Sequence, residues 1–145
     1  MSKFLKSRGF TLVEILVVIA IITILAAIVL YSATQYINKG RDATIKGNLV
    51  VLVTAGELWY DRNSSKYAGF CGSNAVEKAF SEIPTVEADR HCNSVDTAWA
   101  ACAKFFVYPD KAYCVDNKGN QKEINNSFCT TSITNCCVGD VSNCV

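Results

Sequence analysis

The residues of this 145-residue sequence that could do chemistry fall into two sets: one carboxylate, Glu14, in an otherwise uncharged apolar run, and eight cysteines, all at or beyond Cys71. An ionised acid within an apolar span costs roughly 2.5–3.5 kcal/mol at the centre of a bilayer and less near its surface, and is by default a functional residue with a cation as partner. No base lies within helical reach of Glu14 on its C-terminal side. Arg8 precedes it, and a cut after Gly9 would create a new α-amino group on Phe10, about one helical turn away. The cysteines are Cys71, Cys92, Cys102, Cys114, Cys129, Cys136, Cys137 and Cys144, 8 of the 83 residues after Arg62, which is the density of a disulfide scaffold in an oxidising compartment. Zinc sites use two short pairs of Cys or His, whereas the intervals here are 21, 10, 12, 15, 7, 1 and 7 residues. The spacing therefore favours disulfides over metal.

Other chemistry finds little support. His91 is the only histidine and sits in an expected loop between Arg90 and Cys92, where a surface or packing role outweighs that of a base. A glycine-rich phosphate loop is lacking. Asp61, Asp110 and Asp116 have no EF-hand spacing and read as solvated or turn-forming residues rather than calcium ligands. Lys104, Lys111, Lys118 and Lys122 would suggest a nucleic-acid stripe, but Asp110, Asp116 and Glu123 interleave with them and leave the patch nearly neutral. Asn63-Ser64-Ser65 and Asn125-Asn126-Ser127 match glycosylation acceptors by pattern only, and Thr130, Thr131 and Thr134 could carry sugars equally well. No enzyme, cofactor, metal site or specific nucleic-acid site is expected.

The elements that must position Glu14 and the cysteines differ in composition. Lys3, Lys6 and Arg8 put +3 into the first nine residues, so the formal charge of +1 leaves −2 on the rest. Between Phe10 and Ile37, 22 of 28 residues are apolar and Glu14 is the only charge. This run is too long for the core of a cleaved secretory signal, and it has the roughly 20 apolar residues that cross a bilayer. The basic leader would keep the N-terminus cytoplasmic and send the cysteine-rich part outward. Past the span, Ile37, Ile45, Leu49, Leu52, Ala55 and Trp59 recur at mostly three- and four-residue steps, predicting one helix over residues 10–62 that ends at Asn63-Ser64-Ser65.

The stretch Gly9-Phe10-Thr11-Leu12-Val13-Glu14-Ile15-Leu16-Val17-Val18-Ile19-Ala20-Ile21-Ile22 resembles the class III signal of type IV pilins and of the related type II secretion pseudopilins. The resemblance implies a leader of residues 1–9 removed between Gly9 and Phe10 by a prepilin peptidase, N-methylation of Phe10, and pairing of Glu14 with the N-terminal amine of a neighbouring subunit. It further implies a structural subunit that leaves the cytoplasmic membrane through an assembly platform. The product would be an extracellular type IV pilus serving adhesion, motility or DNA uptake. A pseudopilin of a secretion or competence system, forming a short periplasmic filament, is the alternative. The disulfide-rich tail favours the exposed fibre. Members of the family often break this helix midway with Gly or Pro, but here no Gly falls between Phe10 and Gly40 and the first Pro is Pro84.

The fold class expected is α+β and pilin-like: residues 10–33 as span and filament core, 34–62 as the amphipathic half of the helix, and 63–145 as a disulfide-rich head. Ser73-Asn74 would cap a short helix over residues 75–80, followed by turn-like residues to Asp96. Residues 104–108, 111–116 and 121–124 predict a three-stranded antiparallel meander laying an aromatic face on the amphipathic helix. The tail repeats itself, residues 129–136 aligning with 137–144 as octamers. The expected pairing joins Cys71 to Cys92 and laces the tail back to Cys102 and Cys114, with Cys136 and Cys137 taking different partners.

Overall fold

The computed structural model describes residues 9–137. In chain order it contains helix α1 (Leu12–Arg62), a 3₁₀ turn at Phe70–Gly72, helix α2 (Asn74–Ser81), a 3₁₀ turn at Glu87–Asp89, strands β1 (Arg90–Val95), β2 (Ala98–Lys104), β3 (Lys111–Asp116) and β4 (Gln121–Asn125), and a 3₁₀ turn at Asn126–Phe128. The class is the α+β, pilin-like one expected: a long N-terminal helix, an antiparallel sheet and disulfides to the C-terminal segment. Two compact units divide the chain, Met1–Tyr36 and Ile37–Val145.

In the first unit α1 is apolar on every side. The consecutive residues Ile15, Leu16, Val17, Val18 and Ile19 are 47–57% exposed, so no face of the helix is covered. A helix hydrophobic all round belongs in a membrane or a larger apolar assembly, and α1 holds a stretch long and apolar enough to cross a bilayer. Its one uncharged polar side chain between Ile15 and Leu30, Thr23, returns its hydroxyl to the Ala20 carbonyl at 2.8 Å, so it leaves no donor unsatisfied in lipid.

In the second unit α1 buries Ile45, Leu49, Leu52 and Gly56, the four- and three-residue steps of one helix face. The expected stripe is corrected at its ends: Ile37 is exposed, and the buried line passes through Gly56, with Ala55 and Trp59 only partly covered. Gly56 is required there because a Cβ would stand 2.5 Å from Trp99 Nε1 and 2.7 Å from its Cε2. The indole sits against the helix at Gly56 and meets the Phe70 ring at a tilt of 58°, with ring centroids 4.7 Å apart. The helix stops at Asn63, whose side-chain amide donates to the Trp59 carbonyl, and two residues of positive φ, Ser64 and Ser65, turn the chain away.

The sheet has four strands in the order β1-β2-β3-β4, all antiparallel, where three were expected. The turn-like region before Asp96 contains β1, and of the first predicted strand, residues 104–108, only Lys104 is in a strand, as the end of β2, the rest lying in the connection after it. Each correction has its own cause. Strand β2 reads Ala-Trp-Ala-Ala-Cys-Ala-Lys, rich in a weak strand former, and it is buried on both faces, so it shows neither β-branched enrichment nor alternation. Trp99, Ala101 and Ala103 join the core formed with Ile45, Leu49, Leu52, Phe70 and Val115, while Ala100 and Cys102 face the other way into a second core. Small side chains on both faces let α1 and the tail approach the same strand. Strand β1 is a half-buried edge of mixed polarity, Arg-His-Cys-Asn-Ser-Val, with no hydrophobic period to read.

Candidate functional site

Phe10 precedes the first helical residue and is 75% exposed, and a Cβ on Gly9 would meet no atom within 4 Å. Four residues on, the Glu14 carboxylate is held by its own helix start. Its Oε2 accepts the Thr11 backbone N–H and the Thr11 hydroxyl, each at 2.8 Å, and the Thr11 Oγ1 accepts the Glu14 N–H at 3.3 Å. This is a capping box, a Thr and an Glu three residues apart satisfying each other's backbone at a helix start. The pattern was legible in Thr11-x-x-Glu14 before an apolar run. Thr11 therefore joins Gly9, Phe10 and Glu14 as a residue of this segment. One carboxylate oxygen serves Thr11, and Oε1 has no partner among the described residues of this chain, so the acid can accept a further cation.

The cysteines staple the second unit. Cys71 is bonded to Cys92, Cys102 to Cys129 and Cys114 to Cys136. Cys102 and Cys114 stand directly opposite each other on β2 and β3, so the two tail bonds leave the same face of the sheet side by side. Their sulfurs, with Ala100, Ala112, Ile124 and Ile133, make up the second core. Cys137 is also disulfide-bonded, so it and Cys136 take different partners. Cys144, most of the second octamer of the tail repeat and residues 1–8 of the expected leader lie outside the described residues.

Two carboxylates tie together parts of the chain that are far apart in sequence. Asp116, expected to be solvated or turn-forming, does form a turn but is completely buried. Its Oδ1 accepts the backbone N–H groups of Lys118 and Asn120, closing the turn after β3, and its Oδ2 accepts the Cys136 N–H at 2.9 Å, fixing the tail beside its disulfide. Asp42 on α1 accepts the N–H groups of Phe106 at 2.6 Å and Val107 at 3.1 Å, tying the β2–β3 connection to the helix. The contacts to Cys136, Phe106 and Val107 show in no sequence pattern, because these partners lie 20, 64 and 65 residues from the carboxylates that hold them. His91 falls on edge strand β1 opposite Cys102, not in a loop. Lys104 pairs with Asp89 and Lys111 with Glu123. Asp96 accepts a 2.8 Å hydrogen bond from Lys66 and holds that ammonium above its ordinary pKa. Among the described residues no three His, Cys, Asp or Glu side chains converge as a metal site would require.

Residues 5–30 match the family described as the prokaryotic N-terminal methylation motif. The chain is 35% identical over 65 residues to the type IV major pilin protein PilA of Myxococcus xanthus, covering 45% of this chain and 29% of that protein. It is 48% identical over 48 residues to the type IV major alpha-pilin of Moraxella bovis, covering 33% of this chain and 30% of the relative, and to the same extent to fimbrial protein Q of that organism. The matched stretch thus spans about 30% of the length of these curated relatives. No solved structure gives a significant match. The N-terminal segment of this chain, carrying the methylation motif, is thus similar to the N-terminal segments of type IV pilins.

Proposed function

We propose that the chain is a structural pilin subunit, cut between Gly9 and Phe10, methylated on the Phe10 amine and polymerised through its apolar helix into an extracellular type IV pilus. The observation that carries this reading is the conjunction of a methylation motif over residues 5–30 with a helix whose apolar residues are exposed on every side in the single chain. Residues 1–9 are the discarded leader, 10–33 the membrane span that becomes filament core, 34–62 the amphipathic half and 63–145 the head. Before assembly the subunit crosses the cytoplasmic membrane once with the head outside; its partners are a prepilin peptidase, the assembly platform and further copies of itself.

The mechanism follows from the acid and the amine. A carboxylate taken out of water is tolerable when a cation meets it in low dielectric, and removing one partner of such a pair costs several kcal/mol. In the precursor Thr11 satisfies part of Glu14. Once the peptide bond after Gly9 is hydrolysed, each subunit presents the Phe10 ammonium and the remaining capacity of Glu14, and association of neighbours satisfies both while fixing their register. Electron microscopy of surface fibres together with mass spectrometry of their N-terminus tests this. Long fibres whose subunit begins at N-methyl-Phe10 are expected; an intact Met1 start in the fibre would overturn the processing, and short periplasmic filaments alone would favour the pseudopilin reading.

A further inference from the structure

The second unit leaves one face of α1 bare. Ile37, Val51 and Leu58 are 57, 64 and 52% exposed, and together with Thr44 they recur every seven residues, the repeat of a seam between two helices. Three residues beyond Ile37, Thr44 and Val51 stand Gly40, Gly47 and Thr54, all exposed. Unlike Gly56, which Trp99 requires, Gly40 and Gly47 have no internal cause: a Cβ on either would meet no atom within 4 Å. A glycine inside an exposed helix costs about 1 kcal/mol relative to alanine. Apolar rims over a glycine floor make a furrow into which another helix can settle with close backbone approach.

The chain itself carries a segment of matching chemistry. Val17, Ile24 and Tyr31 repeat every seven residues in the apolar stretch and are 49, 63 and 73% exposed, with small Ala20 and Ala27 between them. Charge sets the register. Glu14 is the only ionised side chain of that stretch, and Arg41, beside Gly40, makes no ion pair among the described residues; its guanidinium rests 4.9 Å from the Phe106 ring. Laying a second copy parallel with its Glu14 level with Arg41, a shift of roughly 40 Å at the helical rise, puts Val13 on Gly40, Ala20 on Gly47, Ile24 on Val51 and Tyr31 on Leu58. Setting Glu14 against Arg62 instead would carry the apolar stretch beyond the end of α1.

We infer that the exposed face of α1 between Ile37 and Leu58 is the seat for the apolar helix of a second copy of this chain, with that copy's Glu14 beside Arg41. The inference rests on the pilin reading and specifies which surface of the amphipathic half receives the filament core. A carboxylate offers about four acceptor positions, enough for Thr11, a neighbour's Phe10 amine and Arg41 together.

The test uses the full chain in a cell that assembles it, comparing the unaltered protein, Gly47→Leu, and Lys118→Leu as a control on an exposed turn. Since the new side chain at position 47 meets no internal atom, the head of Gly47→Leu should melt at or above the unaltered temperature and insert normally, while fibres are lost; Lys118→Leu should assemble. A photo-crosslinking residue at position 51 should capture the region of Ile24 in another copy. Unchanged fibre numbers from Gly47→Leu, or capture at position 51 only of residues beyond 62, overturns the seat and leaves the pilin reading standing. Failure of the unaltered chain to form fibres overturns both.

Discussion

Ile19 and Ala101 are both apolar residues in the middle of regular structure, yet Ile19 is 54% exposed while Ala101 is wholly buried between layers. The contrast runs through their units. Residues 12–31 form a helix with every apolar side chain uncovered, and their hydrophobic free energy is realised only in surroundings supplied from outside, lipid or other helices. The head buries its apolar groups itself, in two thin cores on the two faces of one sheet. It fixes the outer core with disulfides, because a segment such as residues 129–137 has too little apolar surface to hold itself down. One unit is stable by what it joins, the other by what it closes.

Four experiments would break or sharpen that contrast. The largest effect is expected from Glu14→Gln, which should abolish fibres while membrane insertion and the melting of the head stay unchanged; abundant normal fibres counted by electron microscopy would remove Glu14 from assembly. Next is Cys114→Ser with Cys136→Ser, which should cost the head about 2–4 kcal/mol and expose residues 129–137 to protease. Melting of the purified chain reads the first effect, limited proteolysis the second, and insertion should be unaffected. Asp116→Asn replaces an acceptor by a donor facing backbone N–H groups and should destabilise the head by about 2 kcal/mol, with early hydrogen exchange at Cys136 and Asn120; protection equal to that of the unaltered chain would show that these amides find other partners. The smallest effect appears only in alkali. Burial, reinforced by its 3.0 Å hydrogen bond to Glu57, pushes the Tyr67 phenol from 10 up to about 12. The unfolded chain then releases this proton first, so the stabilisation is full below pH 10 and falls as pH rises toward 12. Tyr67→Phe should remove the latest phenolate absorbance and that part of the pH dependence.

The two units were also unequally legible. The helix over residues 12–62 could be read because its cause is local: uninterrupted apolar composition, then a three- and four-residue period. The first turn was read incompletely, since Thr11 and Glu14 carry a capping pattern of their own beneath the more conspicuous acid. In the head, β3 announced itself through Tyr113 and Val115 between turns, and β4 through the turn at residues 117–120 that precedes it. Strands β1 and β2 did not, because an alanine-rich strand shows its character only when layers close on both of its faces, and a polar edge strand only when it has a neighbour. Asp42 and Gly56 were invisible for the same reason, their partners being distant amides and an indole.

By itself the sequence determined what depends on neighbours along the chain: an apolar helix led by a basic segment, an acid three residues beyond Thr11, and a cysteine density calling for bridges. Tertiary structure decided what depends on residues far apart in the chain: that Gly56 admits Trp99, that Cys102 and Cys114 lie side by side, and that Asp116 is a buried clamp on the tail. It also decided that Gly40 and Gly47 face open space. Helical periodicity and hydropathy are set by the order of side chains, whereas close approach between backbones is fixed only when the layers meet, and there a single Cβ is enough to matter.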